Sequence, residues 1–393
     1  MVGNFEKKRE IFLVVTIALL AVFFAGCAPK PEAAPTPTPT PTPAPTPPPA
    51  PMVYEGTLYV AGMGGHFAKA EVKIDPSNTA NPITVNKLTR VVIGTKATHP
   101  THDPRIDVKD KNIMYWSTYL PDPDGKLHVG KTDLTTGEKI VDIAFDVPDK
   151  SPKKPWYCAS GQTENEFLPV SMSYEGYIDV YDKATFALKQ RVYVTGGDFP
   201  TNYKFHHGVS TPDMKQFLLL INEADAPHGT PIGKIHLYLL DMAALVNGQL
   251  KINKKNVITG APKTTIGFRQ TFTTDGKYLL ESGRDRFYLI DGKELTVVDE
   301  EMFPKALGKQ VENHDAMPTP DNKYAILTLR WPVEIAGKTV MDGQLQLYDI
   351  TKKELVGKPV SVCVACHEPI GITGSAVLCG IDGVWKAEEA PGY

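Results

Sequence analysis

The 393-residue chain has only five cysteines, and its charges nearly cancel, with 42 Lys and Arg against 45 Asp and Glu. The first shortage excludes a disulfide-framed fold. The second argues against a nucleic-acid protein, whose phosphate-binding surface needs a clear excess of basic residues. No long amphipathic helical pattern is present after residue 52, and no second apolar run is long enough to span a bilayer. Gly-x-Ser-x-Gly and His-Glu-x-x-His are both missing. Gly62-Met63-Gly64-Gly65 lacks the βαβ surroundings of a dinucleotide fingerprint.

The N-terminus has a direction. Lys7, Lys8 and Arg9 precede a 14-residue apolar run, Ile11 to Phe24, which ends in Ala25-Gly26-Cys27. This resembles a lipoprotein signal peptide over residues 1–27, with Cys27 as the lipidated residue and Phe24 departing from the usual aliphatic; a plain signal peptide or an uncleaved anchor is the other reading. Residues 28–52 form a Pro/Thr-rich linker in which 12 prolines lie between Pro29 and Pro51. Such a segment buries no apolar surface; as an extended polyproline stalk, at about 3.1 Å per residue, it reaches roughly 70 Å. Lipoboxes followed by Thr-Pro stalks resemble those of archaeal surface lipoproteins, and bacteria use them too. The expectation is an exported cell-surface or periplasmic protein, held to the membrane by Cys27.

Residues 53–393 repeat. A β-rich run ending in aspartate recurs at Asp75, Asp133, Asp182, Asp241, Asp291 and Asp349, at spacings of 58, 49, 59, 50 and 58. An aspartate at a strand end can accept N–H bonds in the following turn. Each such run follows another apolar strand, and a seventh lies at Ala376–Gly380, leading into Gly383-Val384-Trp385-Lys386. The turns Thr211-Pro212-Asp213, Thr274-Asp275-Gly276 and Thr319-Pro320-Asp321 resemble those of YVTN-type propeller repeats. Seven units of roughly 50 residues predict an all-β, seven-bladed β-propeller with four-stranded blades, six or eight remaining open. Met52–Glu55 is expected to complete the blade begun near His367, so that the terminal strands pair and no edge is left open.

Aligning the units places one position at the approach to each innermost strand: His102, His206, His314 and His367, with Tyr157 and Phe268 in the third and fifth units. Equivalent positions form a ring at one channel mouth, which predicts a ligand or metal site. Asp103, Asp315 and Glu368 adjoin three of these histidines and could orient them, and His99 and His207 lie close by. Ties between a turn and a neighbouring strand would explain the same histidines without a ligand.

Cys363-Val364-Ala365-Cys366-His367 has the spacing for covalent haem: two thiols for the vinyl groups and an adjacent imidazole for the iron. It resembles the attachment site of c-type cytochromes over these five residues alone. That resemblance implies haem c on Cys363 and Cys366 with His367 as proximal ligand, and His206, His314, His102 or Met317 opposite. A disulfide between the two cysteines, or copper or zinc held by the thiolates and ring histidines, are the competing readings. Cys379 is expected to pack as an apolar thiol, and Cys158, one residue past the ring position, to pack likewise, with a place facing the site as its alternative. Trp116, Tyr119, Trp156 and Trp331 are core aromatics by default, with a channel rim as the alternative.

Three functions follow. The first is extracytoplasmic electron transfer to a redox partner protein or small molecule. The second is a propeller oxidoreductase, by analogy with the haem d1 propellers of nitrite reductases and with copper propellers. The third is a haem-free binding scaffold.

Overall fold

The computed structural model describes residues 52–151, 154–172, 175–367 and 380–386, without the side chains of Phe205, His206 and His367. The lipobox, the proline-rich linker, Glu368 and Cys379 therefore lie outside the described residues. Among the described residues no helix is long and apolar enough to cross a membrane.

Among the described residues the fold consists of six four-stranded antiparallel sheets and a small two-stranded one, Lys305–Ala306 with Lys309–Gln310. The six aspartate-ended runs are the third strands of these six blades, counted from the channel: His66–Ile74 with Asp75 just beyond it, then Lys126–Asp133, Tyr177–Asp182, Pro231–Asp241, Arg286–Asp291 and Lys338–Asp349. The innermost strands are Ile381–Trp385, Thr101–Ile106, Tyr157–Gln162, Tyr203–Ser210, Gln270–Phe272 and Glu312–Pro318, belonging to blades 1 to 6. Each touches the next, and the sixth touches the first, so the ring closes.

Among the described residues there are six blades rather than the expected seven, and the reason lies in the closure; the Ala376–Gly380 run lies outside them but for Gly380. Ile381–Trp385 pairs with Tyr54–Ala61, from Val60 opposite Ile381 to Gly56 opposite Trp385. The C-terminal run is thus the missing inner strand of blade 1, not the start of another blade. Met52–Glu55 does not complete a C-terminal blade; Tyr54 and Glu55 begin the second strand of blade 1. Pairing the chain ends removes the edge that either strand would leave exposed.

The repeated turns have a local cause. In Thr211-Pro212-Asp213 the Thr211 hydroxyl donates to Asp213 at 2.7 Å, and Met214 takes a positive φ of 55°. Thr273 and Thr319 make the same bond to Asp275 and Asp321, and Gly276 and Asn322 hold the left-handed position. The strand-end aspartates cap their turns as expected: Asp182 Oδ1 accepts from the N–H groups of Ala184 and Thr185 at 3.0 and 2.8 Å, and Asp291 does so from Lys293 and Glu294 at 2.9 and 2.7 Å. Apolar residues facing between adjacent blades form the core; one cluster joins Leu168, Val170 and Ile178 of blade 3 to Phe217, Leu219 and Tyr238 of blade 4.

These turn bonds hold the Asp182 carboxyl below its ordinary value, backbone N–H donation from Thr185 being the main cause. A depressed folded pKa gives stability that is present above the unfolded value, about 3.9, and lost as pH falls through the folded value. Asp182→Asn is therefore expected to melt below the wild type at pH 7, with the gap narrowing toward pH 3. An equal gap at both pH values in thermal denaturation contradicts this. Deleting residues 381–393 is expected to lower the melting temperature and produce concentration-dependent association through the bared Tyr54–Ala61 edge; a monomer of unchanged stability would exclude the closure described.

Candidate functional site

All the inner strands run the same way along the channel, so their first residues meet at one mouth and their last residues at the other. At the second mouth a cavity of about 530 Å³ is lined by Arg105, Ser210, Phe272, Met317 and Trp385. At the first, a cavity of about 370 Å³ is lined by His102, His207, His314, Phe268, Arg269 and Arg330, with Met63, Tyr119, Trp156, Met172 and Lys204.

Strand alternation would send consecutive residues to opposite sides. Here it is broken where it matters. The pairing of inner with second strands shifts register between Thr101 and Asp103, between Cys158 and Gly161, between Tyr203 and His206, and between Asn313 and Asp315. Such irregularities bend the strand and re-aim side chains. In blades 2 and 6 two neighbours, His102 with Asp103 and His314 with Asp315, thereby share one buried network.

At its centre is Arg269, whose side chain is 1% exposed. Its Nη1 forms an ion pair with Asp103 and lies 3.9 Å from Asp315 Oδ2. Its Nη2 lies 2.5 Å from His102 Nδ1 and 3.8 Å from Cys158 Sγ. His102 Nδ1 is 2.7 Å from the Cys158 sulfur, which is 3.9 Å from Met172 Sδ. His207 Nε2 approaches Asp103 Oδ2 at 4.0 Å. His102 stacks on Tyr119 with ring centres 4.1 Å apart, and Tyr119 stacks on Trp156. His314 packs against Phe268 at 4.6 Å, and its Nδ1 is buried without a hydrogen-bond partner.

Electrostatics fix the protonation states. Burial, reinforced by Arg269, pushes His102 well below the ordinary histidine value; burial, Arg330 and Arg269 do the same to His314. Both imidazoles are neutral, the form that ligates metals. A guanidinium can only donate, so His102 Nδ1 presents its lone pair toward Arg269 and Cys158. Burial also raises Asp315 above its usual range, against the pull of Arg105 and Arg269. Glu281, paired across the sheet with Gln270, is pushed well above its usual value by burial.

His102 and His314 stand in the same cavity, as the register predicts. Of the second expected pair, His206 and His367, the side chains lie outside the described residues; the neighbour His207 is the one that reaches the cavity. Met317 lines the opposite mouth and is not a partner of these histidines. Asp103 and Asp315 serve Arg269 rather than orienting the imidazoles beside them. Cys158 is not a bystander: it touches His102. Tyr119 and Trp156 rim the cavity, whereas Trp116 is fully buried with Nε1 donating to Thr132. Arg269 went unnoticed in the sequence. The signal that finds it is one place further along: Asp103, Cys158, His207, Arg269 and Asp315 each follow the aligned ring position.

The Cys-x-x-Cys-His segment is not on an inner strand. Cys363–His367 is a one-turn helix packed on the third strand of blade 6 and the fourth of blade 1. Cys363 and Cys366 are 3% and 2% exposed, within an apolar cluster that includes Ile74, Leu345 and Val362. Cys366 Sγ lies 3.6 Å from His66 Nε2, and burial pushes its thiol up. Covalent haem on these two sulfurs would require their apolar neighbours to move.

No family model matches the chain, and no curated protein does. Among solved structures, the Kuenenia stuttgartiensis hydrazine synthase aligns at 16% identity over 64% of each chain, with a TM-score of 0.41. The chain thus spans less than two thirds of that protein. The periplasmic gluconolactonase PpgL of Pseudomonas aeruginosa aligns at 11% identity over 85% of this chain and 99% of its own, TM-score 0.48. The dihydro-heme d1 dehydrogenase NirN aligns at 14% identity over 83% and 74%, TM-score 0.39. At these identities the likeness concerns the fold alone.

Arg269→Met is expected to cost about 3–5 kcal/mol in urea unfolding at pH 7, because it leaves buried carboxylates without their cation. The sign with pH follows: losing a guanidinium raises the Asp315 pKa further, and protonation relieves the unpaired charge. The loss should therefore shrink from pH 7 to pH 5; a loss below 1 kcal/mol, or one that grows on acidification, contradicts the assignment.

Proposed function

We propose that the protein is an exported, lipid-anchored redox protein whose centre is a transition metal held in the propeller channel, by His102 and Cys158 with His207 and His314 as further donors. The observation that carries this reading is the buried contact between His102 Nδ1 and Cys158 Sγ at 2.7 Å. With an Asp103 carboxylate oxygen, these atoms all lie within 4.8 Å of one another. Neutral imidazoles and a thiolate suit copper best, and zinc second. Met172 adds a thioether within 3.9 Å of the sulfur. When bound, copper would supply one-electron chemistry. Asp103 and Asp315 offset the charge of Arg269, and the His102 lone pair that faces Arg269 Nη2 would be the one to hold the metal. Electron transfer with an extracytoplasmic partner is the activity proposed. The aromatic cavity beside the cluster makes an oxidoreductase acting on a small molecule the variant of the same reading. The lipobox at Cys27 and the stalk after it support the exported, anchored location.

Covalent haem c on Cys363 and Cys366, with His367 as ligand, is the second reading. Its support is the motif itself; it requires the one-turn helix to leave its apolar cluster.

Metal analysis of the exported protein after copper loading decides between them. One copper per chain with a thiolate-to-metal absorption band is expected, the band lost in Cys158→Ser and the metal in His102→Ala. Absence of stoichiometric copper or zinc overturns the channel centre. A haemochrome spectrum that survives denaturation and vanishes in Cys366→Ala establishes the second reading instead.

A further inference from the structure

Blade 2 carries a second group of donors, away from the channel cluster. Asp122 stands in the turn Asp122-Pro123-Asp124-Gly125, His128 on the third strand Lys126–Asp133, Asp142 on the fourth strand Lys139–Asp146, and His99 in the segment leading to the inner strand. His99 Nε2 lies 2.9 Å from Asp142 Oδ2. His128 Nδ1 lies 2.9 Å from Asp142 Oδ1, and its Nε2 lies 3.1 Å from Asp122 Oδ2. The two imidazole ring centres are 4.4 Å apart. All four side chains are a quarter exposed or less, with Asp142 the most open at 24%.

We propose that His99, His128 and Asp142 form a binding site for a divalent transition cation, best matched by zinc. The donor set decides the class: two imidazoles and a carboxylate, with donor atoms within 4.8 Å of one another, are ordinary zinc ligands, and three protein donors leave the fourth tetrahedral position to water. His99 Nε2 and His128 Nδ1 both face the Asp142 carboxylate, so a cation placed there meets two imidazoles and one carboxylate. Asp122 stands at the other nitrogen of the His128 ring and holds it in place.

The surroundings hold His99 in place. Its Nδ1 lies 2.9 Å from Thr98 Oγ1, and Trp116 packs edge-on against the ring at 5.8 Å. A side chain at Gly94 would bring Cβ within 2.2 Å of His99 Nδ1, so only glycine permits this ring position. Such supports are what pre-orient a metal-binding histidine. Lys139 Nζ, 2.7 Å from Asp142 Oδ2, is the one opposing group. Its charge competes with a cation for the same carboxylate.

That competition gives a test specific to metal binding. Zinc affinity of the full-length protein in detergent is read by competition with a chromophoric chelator, and cobalt(II) absorption reports the geometry. One zinc per chain is expected beyond any channel metal, with tetrahedral cobalt bands. His128→Ala should weaken zinc at least about tenfold, and Lys139→Gln, a surface change without risk to folding, should tighten it. His102→Ala and Cys158→Ser should leave this zinc in place, which separates the site from the channel centre. Zinc content unchanged in His128→Ala, affinity unchanged in Lys139→Gln, or no saturable zinc in the wild type would overturn the proposal.

Discussion

The ion pairing of Arg269 with Asp103 and Asp315 ties together blades that are far apart in sequence. Asp103 belongs to blade 2, Arg269 to the approach of blade 5, and Asp315 to blade 6. A buried guanidinium is tolerable only with its carboxylates, and they only with it. The same network receives the closing strand: Gly380 N donates to the His102 carbonyl at 3.0 Å, and Ile381 N donates to Asp315 Oδ2 at 3.0 Å. A Cβ at Gly380 would stand 2.1 Å from Asp103 Oδ1 and 2.5 Å from Arg269 Nη1, so the closing strand enters through a gap sized for glycine. Ring closure and assembly of the site are one event.

That coupling accounts for the site's chemistry. Burial lowers the basicity of His102 and His314, with Arg269 adding to it at His102 and Arg330 and Arg269 at His314, and Arg105 and Arg269 work against the cost of burying Asp315. Arg269 also draws the His102 lone pair inward, toward Cys158. The network is therefore both the structural plug of the channel and the device that keeps two imidazoles neutral beside a thiol.

Much of this was legible in the chain. The six aspartates at 49- to 59-residue intervals mark the third strand of every blade, because an aspartate at that corner caps two backbone N–H groups whatever the neighbouring blade does. The Thr-Pro-Asp turns are equally local. The aligned histidine register led to His102 and His314 because equivalent positions in a cyclic repeat must lie on a ring. Blade number was misread for a physical reason: a C-terminal strand that completes the first blade has the same pattern as one that begins a seventh, and only pairing distinguishes them. Cys363 and Cys366 were drawn to the channel by their motif, yet their helix packs between the outer strands of blades 6 and 1, where apolar contacts decide its place.

The sequence alone determined what depends on short-range bonds and on repetition: an all-β chain, blades of four strands, capped corners, and a ring of positions at the start of each inner strand. Tertiary structure decided which side chains of that ring meet. Breaks in strand register let Asp103 and Asp315 reach the network beside His102 and His314, against the alternation a sequence reader assumes. A buried charge then selected its partners across the channel, and no local pattern encodes a pairing between residues 103, 269 and 315.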